Sequence, residues 1–333
     1  MKGRGKFAFV RIADTADRFA DFGPYVASID PGGRVAFQAS LRAGGSGVFL
    51  GENGSIADLA LTDCFIEDFI SHPDICHDGS WCAYATLRSG EQAVVLGRAG
   101  RVASMADTRG SLTRIGPLGP VMNEAGVVVF RADTDSGRPA IFKAEGASIV
   151  QVAAPTGFSG FQGLPVINRS GRVVFRADFE GGGQSIIADD HGVPITLADT
   201  NGVFAELGRF PCLNEAGVVA FSATLRDGRA GVFLATGDEV VPAIATMDQF
   251  ESVRGALLDD GAGVLFFATP RGGTLGVYDA MSRRVLSIGD ELFGSIVSDF
   301  ALNPVSINGA GQFALRLKLE DQMQLIVRAD PAT

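Results

Sequence analysis

VMNEAGVVVFRAD at 121–133, VINRSGRVVFRAD at 166–178 and CLNEAGVVAFSAT at 212–224 are three copies of one unit. Weaker copies start at SIDPGGRVAFQAS (from 28), ICHDGSWCAYAT (from 75), LLDDGAGVLFFAT (from 257) and SINGAGQFALRLK (from 306). The turn glycines Gly33, Gly79, Gly126, Gly171, Gly217, Gly263 and Gly311 recur every 45 to 48 residues, with a one-residue ambiguity in DDGAG. Self-similarity at that period marks stacked supersecondary units. In each unit a short strand such as LPVIN ends in Asn or Asp, whose side chain bonds the turn backbone while Gly accepts positive φ. A second strand alternates as VVFRA. A third follows a Gly-rich hairpin (AGVFLAT, PAIFKAE), and a fourth resembles PITLADT. Four antiparallel strands per period of about 46 residues read as one propeller blade.

The expected fold is therefore all-β: a seven-bladed β-propeller of four-stranded antiparallel blades. The blades run over approximately 21–64, 65–110, 111–157, 158–202, 203–248, 249–291 and 292–333, within one domain covering 1–333. The last unit stops at LIVRADPAT, which aligns with third strands, whereas FAFVRIADT at 7–15 matches fourth strands such as VASMADT. The N-terminal strand is expected to complete the last blade, removing an exposed edge and closing the ring. These Asn-x-x-Gly-x-Val-x-Phe units resemble the bacterial NxxGxxxAF tandem repeats over almost the whole chain. The resemblance implies a repeat architecture and carries no reaction; it also implies a secreted, surface-anchored setting, for which this chain shows neither signal nor anchor.

Composition narrows the partners. A hydrophobic fraction of 46% and 44 glycines against 20% charged residues describe a buried, turn-rich protein rather than a disordered one. A net charge of −10 opposes attraction to nucleic acid or anionic membranes, leaving small molecules or proteins. The basic start MKGRGK leads into an apolar run broken by Arg11 and Asp14, and no run approaches the roughly 18 apolar residues of a membrane span. With four cysteines and no signal, a cytoplasmic location is expected.

Repetition separates architecture from function. Asn123, Asn168, Asn214, Asn308 and Asp30 recur as turn formers, Asp14, Asp107, Asp199 and Asp290 end fourth strands, and Phe37, Phe130, Phe175, Phe221 and Phe266 read as inter-blade core. Charges at the second hairpin (Arg42, Arg88, Asp135, Glu180, Arg226, Arg271, Glu320) change sign around the ring and read as solvated tips. First strands line the channel, and the loops entering them are expected to form a ligand face.

Counting back eight residues from each turn position places Asp68, Glu206 and Ser252 near one rim. His72, Gln162, Arg209 and Arg254 follow nearer the strand, a blade-seven insertion adds Asp299 and Asn303, and Tyr25 reaches in from blade one. A His among carboxylates exchanges protons near pH 7, and Arg holds anionic groups. His72 is the expected proton-transfer group, Asp68, Glu206 or Asp299 its partner carboxylate, and Arg209, Arg254, Gln162, Asn303 and Tyr25 the substrate contacts.

No Walker loop, G-x-S-x-G elbow, C-x-x-C pair or H-E-x-x-H spacing occurs. No organic cofactor or local metal motif is expected, although scattered loop carboxylates leave room for a divalent cation. Residues 62–82 crowd Cys64, Cys76, Cys82, His72, His77 and Trp81 together, yet the repeat register puts Cys64 and Cys76 at opposite ends of a strand, on the order of 15 Å apart. Two functional readings stand. One is a small-molecule enzyme of lyase, hydrolase or cyclase type with one axial site. The other is a non-catalytic scaffold for a protein or glycan.

Overall fold

The computed structural model describes residues 7–154, 156–237, 239–244 and 249–332. The basic segment 1–6 and the blade-five boundary at residue 248 lie outside these residues. Seven antiparallel sheets follow one another along the chain, each with its second strand between the first and third, and together they form a seven-bladed propeller. Blade three is typical: Leu112–Ile115 and Val121–Met122 pair with Val128–Thr134, then come Pro139–Glu145 and Ser148–Ala153. The strand Phe7–Asp14 pairs with Gln324–Pro331 and supplies the outer strand of the seventh blade.

The swapped strand reproduces its blade-mates in detail. In all seven blades the outer ladder breaks register once, leaving an extra apolar residue: Leu59, Met105, Val152, Leu197, Ala243 and Val285 in six, and Ile12 in the seventh. A bulge twists the strand and re-aims its side chain. Ile12 is thereby turned onto Gly51 of blade one, where an added Cβ would lie 2.1 Å from its methyl group. Aromatic pairs stack across second and third strands, among them Phe37–Phe49, Phe130–Phe142 and Phe221–Phe233, each pair worth about 0.5–1.5 kcal/mol beyond area burial.

The recurrent Asn side chains do two jobs. Their Oδ1 accepts the N–H four residues on, from Val127, Arg172, Val218 and Gln312. Their Nδ2 donates to the turn carbonyl of the following blade: Asn123 to Asn168, Asn168 to Asn214, Asn214 to Asp259 and Asn308 to Asp30. Arg34 reaches the Cys76 carbonyl from blade one, the Cys76 thiol donates to the Asn123 carbonyl, and the Asp260 N–H donates to the Gly309 carbonyl. A closed belt of hydrogen bonds thus circles one mouth of the channel.

The register ambiguity in blade six is resolved. The blade-six turn is centred on Asp259, and the left-handed position is Ala262 (φ 61°), one residue before Gly263. The hairpin-tip side chains are all exposed, as expected, while their backbone is tied down. The N–H groups of Arg42, Arg88, Asp135, Glu180, Arg226, Arg271 and Glu320 each donate to the carbonyl of a residue just ahead of the same blade's inner strand or at its start. Among the described residues no helix is long and apolar enough to cross a membrane.

Candidate functional site

The inner strands position every candidate side chain. Each carries a register break near its start, and the residue just past the break is Asp21, Asp68, Arg114, Gly160, Glu206, Ser252 or Asp299 in blades one to seven. Four acidic side chains therefore share one bulged, exposed position. Asp68 accepts from Ser46 Oγ at 2.6 Å, and Asp299 lies opposite Lys318. Burial, and then the Asp68 carboxylate, raise the Tyr25 phenol, which brings Tyr25 and Asp68 into one cluster between blades one and two.

A second cluster joins blades four and five. Gln162 donates to Asp178 at 3.0 Å, and Arg176, only 5% exposed, pairs with the same carboxylate at 2.9 Å. Burial lowers the Arg176 pKa; Asp178 and Glu206 oppose this and Arg209 adds to it. Gln162 and Arg176 thus share Asp178, and Glu206 and Arg209 lie near enough to act on Arg176 electrostatically. Arg254 is exposed in blade six, apart from both clusters.

Four residues past each bulge stand Tyr25, His72, Leu118, Leu164, Phe210, Ala256 and Asn303. This register packs between blades. His72 is 2% exposed, its ring lies against Gly119, where an added Cβ would be 2.6 Å away, and its N–H donates to the Leu118 carbonyl. Nδ1 lies 3.2 Å from the Pro73 carbonyl, and Nε2 has no partner among the described residues. Burial lowers its pKa to about 4, so the ring is neutral at pH 7. Asn303 is also buried, capping the 3₁₀ turn Pro304–Ser306 by accepting the Val305 N–H.

At the opposite mouth, inside the belt, lies a cavity of about 470 Å³ walled by all seven blades, with Ile29, Asp74, Val121, Ile167, Cys212, Leu258 and Val305 among its lining. None of the nine residues singled out from sequence lines it. Asp74 is 7% exposed, its carboxylate accepting from the Ile75 and Met122 N–H groups at 3.0 and 2.8 Å. Burial pushes its pKa up to about 7, against the pull of those two N–H groups and with a small push from Glu124. The ladder pairs Asp74 with Cys82 as it pairs Ser28 with Ala36, Val121 with Val129 and Val166 with Val174. The repeats show a carboxyl in a register otherwise small or apolar, downstream of the loop that carries the rim residues.

A larger groove, about 1230 Å³, is open and runs along blade six towards blade seven. Its two arginines are paired, Arg283 with Asp279 and Arg284 with Asp290. The smaller axial cavity is the better site because its buried carboxylate has no cationic partner among the described residues. No group of three or more His, Cys, Asp or Glu among the described residues is arranged to hold a metal ion.

No protein-family model matches the chain, and no curated protein does. It is similar to solved propellers at low identity. Oligogalacturonate lyase from Vibrio parahaemolyticus has TM-score 0.59 at 10% identity, with 98% of each chain covered. An oligogalacturonate lyase in complex with manganese has TM-score 0.60 at 9% identity, again covering 98% of both. A puromycin-hydrolyzing peptidase from Mycobacterium tuberculosis has TM-score 0.60 at 12% identity, covering 99% of this chain. The chain spans 52% of that peptidase and 61% of a TolB structure from Acinetobacter baumannii. At these identities the likeness shows the fold, which hosts enzymes and binding scaffolds alike.

Proposed function

We propose that the chain is an acid–base enzyme acting on one small molecule held in the axial channel, with Asp74 as its proton-transfer group. The observation that carries this reading is a buried carboxyl set in the wall of a cavity shared by seven blades. A titration near 7 suits a general acid or base working at neutral pH, a contribution of about 10²–10⁴-fold. The funnel residues Asp68, Glu206, Asp299, Arg209, Arg254, Gln162 and Tyr25 serve as contacts for substrate entering from the other mouth. His72 and Asn303 shape that rim from beneath.

No organic cofactor enters this chemistry, and the scattered carboxylates leave room for a divalent cation. Membership of the NxxGxxxAF repeat family and a cytoplasmic location belong to the same reading. So does the absence of nucleic-acid and membrane partners, which rests on the net charge of −10.

The test is turnover of pooled small metabolites followed by NMR. Asp74→Asn should lower any turnover found by at least about 100-fold with near-UV circular dichroism retained, and kcat/KM of the wild type should inflect near pH 7. Unchanged turnover in Asp74→Asn sinks the assignment. The second reading, a non-catalytic scaffold for a protein or glycan, draws on the exposed apolar residues Ile149, Val150, Val193 and Val241 along the outer strands of blades three to five. Binding of a partner there with no turnover of any metabolite would favour it.

A further inference from the structure

We propose that the belt-side cavity takes a small organic cation with an apolar body, an ammonium group seated against Asp74. This rests on the reading of the channel as the ligand site and adds the ligand's class. The cavity wall is mixed: Ile29, Val121, Ile167, Leu258 and Val305 supply apolar surface between polar turn residues, and its volume falls within the range of about 300–1,000 Å³ usual for small-molecule pockets. Its charge is one-sided. Asp74 lies within, and Glu124, Glu215 and Asp260 stand at the mouth against Arg169 alone.

The mouth carboxylates are held by backbone N–H groups rather than by cations. Glu124 accepts from His77 N at 3.1 Å, Glu215 from Arg169 N at 2.9 Å and Asp260 from Glu215 N at 3.0 Å. Such bonds orient the oxygens and leave the charge in place, so the mouth attracts cations and repels anions. Among the described residues none of the four carboxylates forms an ion pair, and they are too dispersed to share one metal ion. A larger cation that also buries apolar surface matches the charge and the apolar part of the wall.

The groups facing Asp74 are Cys82, opposite it on the second strand, Cys76 in the turn, and Glu124 on blade three. Burial raises both thiols far above neutrality, which leaves Glu124 as the other acidic side chain beside Asp74. Ionised Asp74 binds the cation and protonated Asp74 does not. Affinity should therefore fall about tenfold per unit as pH drops below about 7, and level off above it.

The probe is phenyltrimethylammonium, whose charge does not titrate, compared with tert-butylbenzene and benzoate on the full chain by NMR or calorimetry between pH 5.5 and 8.5. The cation is expected to bind at least about tenfold more tightly than either comparator at pH 8. Asp74→Asn should lose that preference and the pH dependence. Glu215→Gln and Asp260→Asn keep the acceptor for the inter-blade N–H. They should each weaken binding by about two- to fivefold, and they test the mouth even if Asp74→Asn does not fold. Arg169→Gln should tighten it.

Equal binding of the neutral or anionic probe, no binding of the cation at millimolar concentration, or a pH dependence that survives in Asp74→Asn overturns the proposal. Asp74-dependent turnover of an anionic substrate would overturn the cation and leave the acid–base reading standing. Cation binding without turnover would do the reverse.

Discussion

His72 and Asp74 stand two residues apart and are buried for different reasons. His72 occupies the register filled by Leu118, Leu164 and Phe210 in other blades, so its imidazole is a core side chain whose charged form is excluded. Its folded pKa of about 4 lies below the unfolded 6.5. The unfolded chain takes up a proton that the folded one refuses, and stability is lost as pH falls from 6.5 towards 4, by about 2 kcal/mol at pH 5. Asp74 acts with the opposite sign: its folded pKa is raised, and its contribution is present below about 4 and lost as pH rises to about 7. His72→Leu should therefore gain thermal stability over the wild type at pH 5 relative to pH 7.5. The remaining Asp74 slope should then make the variant less stable as pH rises. Equal melting-temperature differences at the two pH values would show that His72 is not held neutral by the fold.

At the scale of the strand and turn, one residue type serves local and long-range structure together. Asn168 closes its own turn through the Arg172 N–H and the Ser170 hydroxyl, and reaches the Asn214 carbonyl of the next blade. Asn168→Ala removes all three bonds and strands buried backbone groups, a cost on the order of 2–4 kcal/mol. Urea unfolding measures it, and a loss under about 1 kcal/mol would mean that the belt adds nothing to the turn. Gln92, Gln184 and Gln324 add a second stitch, each accepting an N–H at or just past the end of the next blade's inner strand, from Ile115, Leu207 and Phe22. The turn role of Asn was legible because Asn-x-x-Gly has a local meaning. The belt and the Gln stitches were not, because they depend on how far one blade is rotated from the next.

Across the whole molecule, closure depends on one non-local ladder, Phe7–Asp14 against Gln324–Pro331. Deleting residues 1–14 leaves the N–H and C=O groups of the latter strand open at a sheet edge, a template for association. The truncated chain should melt at lower temperature and aggregate with rising concentration, and a peptide of residues 7–14 should restore it; an unaltered melting curve would contradict closure by this strand. The repeat alone determined the number of blades, the strand order, the swapped strand and the aromatic core, since each is a local pattern written seven times and averaged over its copies. The site is written once. Its legible part, the position shared by Asp68, Glu206 and Ser252, follows from counting along inner strands, because that spacing is nearly constant, and Asp299 from the blade-seven insertion. Only the tertiary structure decided that His72 turns into the packing, that Asp178 joins Gln162 to Arg176, and that Asp74 stands in the wall of the cavity. A side chain's burial and titration depend on neighbours supplied by other blades, and no one-dimensional register records them.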